Sequence, residues 1–452
     1  MRLARAPACA RSAARPDANL MASMSAEQSN ADVAVVGLGR VGLPLALSFA
    51  DRGLKVIGVD NDQRRLEAVR EGRMPFQETG AQEVLDRVHS SGGLTLTGAV
   101  AGAADARQIV LTLGTPSFSH IEIDMRDIRS ALDDLLGVLG NGHSLILRST
   151  IAPGTTEFVA GYLAKHRGFQ IGEEVFVSHA PERIAAGRFL AEIDTLPCII
   201  GGVGARSGEV AAELFGAFDA PIVQTTPVQA ELAKIWANIL RYTNFALPNL
   251  LMMDCERYAA NVFEVIDLIN RDYPRGGIAR PGFTAGTCLR KDFAFSEERS
   301  NAPGMLLAVS RVNESVPLFL LEGAKRRLGS LADRRVAVLG LAFKADTDDE
   351  RDSLAHKLIR MLERELADVV VHDPHVPTPT APLAETLDGA DVVIVAANHA
   401  EFRDPATLAL IAERAAADCL VVDPWDCWGA AQVFGYASEL ASLGPTPPRA
   451  RP

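Results

Sequence analysis

The stretch GFTAGTCLRKDF, residues 282–293, sets a single cysteine, Cys288, in a glycine-bearing loop just ahead of Lys291 and Asp292. A thiol so placed can be a buried hydrophobe, half of a disulfide, a metal ligand or a nucleophile. Gly282 and Gly286 let the backbone pass close to a ligand, and a neighbouring cation or a helix N-terminus would lower the thiol pKa and make it nucleophilic. Spacing alone leaves the structural cysteine and the nucleophile side by side. Three other stretches have the types to assist. In ELAKIWANILRY, Lys234, Asn238 and Arg241 fall at i, i+4 and i+7 on one helix face, which also suits a solvated face. HAPERIAAGRF puts Glu182 and Arg183 at a strand end, as ligand groups or as a surface ion pair. LRSTIAPGTT follows a strand with hydroxyls, Thr150 among them, and a Pro-Gly turn, at the edge where parallel sheets bind ligands.

Gly37-x-Gly39-x-x-Gly42 is more specific, because it follows the apolar run VAVVG and opens a helical stretch. The first glycine makes the tight turn, the second admits a pyrophosphate to the backbone and the third lets helix pack on strand. The helix N-terminus then offers free N–H groups to phosphate. Asp60 ends the next strand, KVIGVD, where a carboxylate accepts from ribose hydroxyls and repels a 2′-phosphate, so the spacing predicts NAD rather than NADP.

These residues need a scaffold, and the hydrophobic rhythm supplies one. Strand signals in RQIVLTLGT, HSLILRST and VFVSHAPER alternate with helical ones such as RRLEAVREG and DMRDIRSALDDLLGVLG, which means a doubly wound parallel sheet. From about residue 225 the strands stop, and a long helical stretch follows, with Pro248 as a candidate kink. Alternation resumes at RRVAVLGLA, which echoes ADVAVVGLG but lacks the full glycine fingerprint. The expected class is α/β: two Rossmann-like doubly wound parallel-sheet domains joined by a helical central domain. The divisions are a disordered tail over 1–30, an NAD-binding domain over 31–224, a helical dimerisation domain over 225–328 and a second Rossmann-like domain over 329–452. The tail is Ala-, Arg- and Ser-rich and poor in acids, as transit peptides are. It also suits a disordered leader or an upstream start before Met21 or Met24, and it is set aside from the fold.

A formal net charge of −12 argues against a surface that tracks nucleic acid. Six cysteines without a C-x-x-C pair argue against a zinc site or disulfide framework, so no metal is expected and the cytoplasm with reduced thiols fits best. No apolar run reaches the 18 or so residues a membrane span needs, so no membrane partner is expected.

Six ordered motifs, VVGLGRVGLPLA, STIAPGTT, PERIAAG, ELAKIWANILRYTNFALPN, GFTAGTCLRKD and GLAFKADTDDERDS, make the chain resemble the UDP-glucose/GDP-mannose dehydrogenase family over nearly all of residues 31–435. The resemblance implies oxidation of the C6 hydroxyl of a nucleotide sugar to a carboxylate, with two NAD per turnover and a covalent cysteine intermediate. It makes Cys288 the nucleophile, and Lys234 and Asn238 the groups that support alcohol oxidation, the oxyanion and the sugar. Asp292 positions water, Thr150 lies near the nicotinamide, and Glu182 is an active-site acid. Gly37, Gly39, Gly42, Asp60, Arg65, Thr115 and Arg351 fall on NAD positions. Lys344, Arg183, Arg241 and Arg275 fall on substrate positions, with Arg275 placed to reach a neighbouring subunit. A homodimer through the middle helices is implied.

Ala186 stands where members acting on plain UDP-glucose carry a second acid, so the substrate expected is a UDP-N-acetylhexosamine. Ala285-Gly286-Thr287 and Arg290 depart from the glycine pair and proline usual around the cysteine, so a differently shaped thiol loop is expected. Two alternatives stand beside this reading. One is a two-electron β-hydroxyacid-type dehydrogenase with a structural cysteine; the other is a non-catalytic nucleotide-sugar-binding protein.

Overall fold

The computed structural model describes residues 30–114, 126–284, 286–297 and 304–442; the N-terminal tail and Thr115 lie outside them. Eight strands form the first sheet: β1 Ala31–Val36, β2 Val56–Val59, β3 Leu94–Thr97, β4 Ala106–Leu111, β5 Ser144–Leu147, β6 Phe176–His179, β7 Cys198–Gly202 and β8 Ile222–Thr225. Their order is β3-β2-β1-β4-β5-β6-β7-β8. β1 and β4 to β6 read as near-continuous apolar runs because helices cover both faces. The order reverses at β1, and the crevice at that switch point is where doubly wound sheets take ligands.

The sheet is parallel except that β7 runs antiparallel to β6. A parallel neighbour needs a crossover, usually through a helix. Residues 180–197 instead carry the Pro-Glu-Arg loop and one four-residue helix, Phe189–Glu192.

The second sheet holds β9 Arg335–Leu339, β10 Asp368–His372, β11 Val392–Val395, β12 Leu420–Val422 and β13 Phe434–Tyr436, in the order β10-β9-β11-β12-β13. Only β13 is antiparallel to its neighbour. Each sheet starts the same way. Gly37 and Gly340 turn at positive φ (95° and 99°). Leu38 N–H then donates to Asp60 at the end of β2, and Leu341 N–H to Asp373 after β10, each at 2.6 Å.

Between the sheets lies the helical segment. Its main helix, Pro227–Arg257, has 31 residues and contains Pro248, the candidate kink, within it. Thr226 and Gln229 close a capping box at its start, with proline at the first position, where no N–H is lost. The helix Thr287–Glu297 carries Cys288 as its second residue, and Met305–Leu328 leads into β9. A small core of Ile235, Ile239, Tyr242, Phe293, Phe295 and Leu306 locks these helices together.

Gly42 shows how tight the glycine turn is: a Cβ there would run into the Gly37 carbonyl oxygen and the Thr112 hydroxyl. Gly42→Ala is expected to cost about 1–3 kcal/mol through overpacking and to lower the melting temperature by roughly 3–10 °C, read by calorimetry. A melt unchanged from wild type would contradict this packing.

Candidate active site

The cradle at the first sheet has the form a dinucleotide requires. Gly39 faces open space, with no atom within 4 Å of where its Cβ would stand, while Gly42 is sealed against the turn. Asp60 is 6 % exposed and already organised. One oxygen accepts from Leu38 N–H and from Arg65 (2.7 Å), and the other accepts from Asp62 N–H (2.8 Å). Asp60 thus braces the glycine turn at the point where ribose hydroxyls would be read. An open second glycine, a closed third and a braced acid fit NAD. The second unit differs. Asp373 is engaged by Leu341, Ala342, His375 and Val376 N–H groups and by buried His399, whose Nε2 lies at 3.1 Å.

The thiol stands on the helix Thr287–Glu297, which packs on the central helix. Cys288 is solvent-exposed. Asp292, one helical turn later, is fully buried and accepts from Asn238 Nδ2 at 2.5 Å, with Lys291 Nζ at 3.9 Å. Lys234 acts electrostatically on both Cys288 and Asp292. Burial raises the Asp292 pKa, against the pull of Lys291, Lys234 and the Asn238 hydrogen bond. Crowding by protein and the Asp292 charge also push the Cys288 thiol up, opposed by Lys234, Lys291 and Arg351. Exposure and crowding agree if the sulfur sits on a cleft floor, open to solvent on one side only. The expectation of a lowered thiol pKa is therefore corrected. The helix N-terminus and three cations are present, but desolvation and Asp292 outweigh them.

Two aromatic side chains of the second domain grip the thiol loop. A Cβ on Gly286 would stand 2.7 Å from the Phe343 ring, and one on Gly282 would run into Trp425. Gly286 also needs its φ of +95°. Gly282 N–H donates to Asn249 (2.9 Å), which donates to Asn313 (3.0 Å), which in turn donates to the Tyr242 carbonyl (3.1 Å).

The other expected residues divide. Lys344 Nζ donates to the Ala186 carbonyl (2.9 Å), and burial together with Arg241 and Arg188 holds its pKa down, so three cations gather here. Arg351 pairs with Asp349 through two nitrogens, at 2.8 and 2.7 Å. Thr150 is half-buried just past β5. Glu182, expected as an active-site acid, is engaged on both oxygens. Arg148, itself 4 % exposed, holds one oxygen at 2.7 Å, and the Arg183 and Ile184 N–H groups hold the other at 2.6 and 2.7 Å. So engaged, it shapes the Pro-Glu-Arg loop. Arg183 turns to the Pro197 carbonyl (3.3 Å). Arg275 lies exposed over Tyr273, 5.2 Å from the ring centre.

Sequence reasoning missed Arg40. It occupies a variable position inside the glycine motif and pairs with Asp348 (2.6 Å) and Asp349 (3.3 Å) of the second domain. A charged residue inside a phosphate-binding turn was the available signal. Asp346, His375 and His399 bring possible metal-ligand atoms within 4.8 Å of one another. His399 spends one ring nitrogen on the Asp346 N–H and the other on Asp373, and Arg403 pairs with Asp346, so the group is knit together without an ion.

Three models of the UDP-glucose/GDP-mannose dehydrogenase family match in order: the NAD binding domain at 31–219, the central domain at 228–315 and the UDP binding domain at 337–430. The UDP-N-acetyl-D-mannosamine dehydrogenase of Campylobacter jejuni is 33% identical over 82% of this chain and 96% of its own. The NDP-N-acetyl-D-galactosaminuronic acid dehydrogenase of Ralstonia solanacearum is 32% identical over 82% and 91%. The solved UDP-D-ManNAc dehydrogenase of Pyrococcus horikoshii superposes with a TM-score of 0.81 at 31% identity, covering 87% of this chain and 94% of that one. With its glycine cradle, its thiol cluster and all three domains in place, the chain belongs to the UDP-glucose/GDP-mannose dehydrogenase family, NAD-dependent oxidoreductases of nucleotide sugars.

Proposed function

We propose that this protein oxidises the C6 hydroxyl of a UDP-N-acetylhexosamine to the uronate in a four-electron reaction through a thioester on Cys288. The carrying observation is a solvent-reachable thiol set one turn from a buried carboxylate that Asn238 and Lys291 hold, with Lys234 acting on both. Relatives named for N-acetylated sugars, and Ala186 in place of an acid, support the substrate class.

The cradle of Gly37, Gly39, Gly42, Asp60 and Arg65 would hold NAD, with Thr115, Thr150 and Arg351 as further contacts. When bound, NAD supplies a two-electron acceptor, used twice. Lys234 and Asn238 stabilise the C6 oxygen as it loses its proton. The aldehyde then forms a C–S bond to Cys288, and its oxygen takes the thiol proton. Oxidation of that adduct leaves a thioester. Water, positioned by Asp292 and Thr150, forms the new C–O bond as the C–S bond breaks, and the thiol is restored. Lys344, Arg241 and Arg183 hold the diphosphate and sugar. A plain alcohol dehydrogenase needs no thiol at this place, and a binding protein needs no buried Asp292 beneath it.

A homodimer in the cytoplasm completes the proposal. Leu232, Trp236, Leu240, Leu247 and Leu250 are all exposed on the central helix, Leu240 by 60 %. At 100° per residue they share an arc of about 80°. Lys234, Asn238 and Arg241 fall on the opposite side, so one helix can serve the site with one face and a second copy with the other. Arg275 would reach the partner's site. Among the described residues no helix is long and apolar enough to cross a membrane, and Cys198, Cys255, Cys288, Cys419 and Cys427 are free thiols.

Incubation with UDP-ManNAc, UDP-GlcNAc and UDP-glucose is expected to yield two NADH per N-acetylated sugar and a carboxylate by mass. One NADH per sugar would sink the four-electron reading. Cys288→Ser is expected to bind NAD normally and to form no carboxylate. Alkylation of Cys288 by iodoacetamide should rise with pH through a midpoint above the ordinary thiol value. Asp292→Asn removes a negative charge, so the midpoint should fall and the rate at pH 8 rise roughly three- to tenfold. Trp236→Glu with Leu240→Glu should halve the mass seen by light scattering.

A further inference from the structure

The acidic segment Asp348–Asp352 is held from two directions. From the first domain, Arg40 sits over the Phe76 ring (5.1 Å) and pairs with Asp348 at 2.6 Å and Asp349 at 3.3 Å; the Gln77 N–H also donates to Asp348 (2.9 Å). From the thiol helix, Arg290 pairs with Glu314 at 2.6 Å and Asp352 at 3.5 Å, and it donates to the Asp352 carbonyl at 3.2 Å. Between these anchors, Asp349 makes two further contacts. Its carboxylate binds Arg351 through two nitrogens, and its carbonyl accepts from Phe343 N–H at 3.0 Å. Both lead to the thiol: the Phe343 ring abuts Gly286, two residues before Cys288, and the Arg351 charge acts on Cys288.

We propose that Arg40, in the glycine turn of the NAD cradle, is a positioning residue that, through Asp348 and Asp349, sets Phe343 and Arg351 against the Cys288 loop. The contacts are short and run without a break from one domain's phosphate-binding turn to the other domain's face of the cleft. Asp349 is 6 % exposed. Although burial pushes its pKa up, Arg351 and Arg40 hold it below the usual carboxylate range, so both arginines share one buried charge. Removing Arg40 leaves Asp349 with Arg351 alone and Asp348 with only the Gln77 N–H, so the segment loses its charged anchor on the first domain. Arg290, which stands where the family usually has proline, supplies the second anchor, so the segment is tied to the thiol helix as well. The inference rests on Cys288 being the reacting thiol, yet its test does not require turnover.

The test is the pH profile of iodoacetamide labelling at Cys288, followed by peptide mass spectrometry on the full-length protein. The charges facing the thiol are Asp292, Lys234, Lys291 and Arg351. Arg351→Gln takes away one of the cations and should move the profile to higher pH. Arg40→Gln, with no charge near the thiol itself, should do the same and lower the labelling rate at pH 8 roughly three- to tenfold. Arg40→Lys should restore part of the loss. Because the two act in one line, the double variant should fall no further than the stronger single one. Asp348→Asn repeats the test without touching the glycine turn, and thermal melts confirm that each variant is folded. A profile unchanged in Arg40→Gln or Asp348→Asn, or additive effects of Arg40→Gln and Arg351→Gln, would overturn the proposal. Turnover that survives complete labelling would instead overturn the nucleophile assignment and leave the profile comparison standing.

Discussion

The site depends on the crossing of two helices. Asn238 on the central helix donates to Asp292 on the thiol helix at 2.5 Å, in a place with no solvent. A carboxylate stripped of water costs several kcal/mol, and a hydrogen bond to a charged group returns about 1.5–3 kcal/mol. The rest comes from Lys291 and Lys234, so the carboxylate is held in place only while both helices keep their register. The stacked rings of Tyr242 and Phe293, 6.1 Å apart, set that register from the apolar side. The ladder from Gly282 through Asn249 and Asn313 to Tyr242 sets it from the polar side. A one-residue slip would turn Cys288 by about 100° around its helix and out of reach of Lys234.

The same crossing explains why a thiol with a raised pKa is compatible with its proposed task. Crowding by protein and Asp292 favour the neutral thiol, while three cations favour the anion. Lys344 of the second domain, Arg241 of the central helix and Arg188 of the first domain act on one another nearby, and the proposed sugar diphosphate would bring further charge to the cleft. The balance at the sulfur is therefore set by both domains and not by the loop alone. That is why contacts such as Arg40 with Asp348 matter as much as residues closer to the chemistry.

Much of this was legible beforehand. The inner strands of both sheets stand out as β-branched runs because burial on two faces leaves no polar alternation. The glycine fingerprint is legible because each glycine answers a local steric demand, as Gly42 does against Gly37. The polar face of the central helix follows from spacing, whereas Cys288, read in a glycine-bearing loop, stands in the first turn of a helix. What stayed out of sight involved partners distant in sequence. The pairing of Glu182 with Arg148, 34 residues away, forms only in the fold. The antiparallel β7 went unseen because strand direction leaves no mark in a single run of residues.

The sequence by itself determined the α/β class and the cradle for NAD, and it singled out Cys288 and the residues proposed to act with it, because each rests on short-range geometry or on ordered motifs. Only the tertiary structure decided how those residues are charged and which of them meet. Solvent exclusion and long-range pairing set the state of Asp292, the direction in which Cys288 is pushed, the engagement of Glu182 and the bridge from Arg40 to the second domain. Desolvation is a property of everything packed around a group, and no stretch of residues carries it alone.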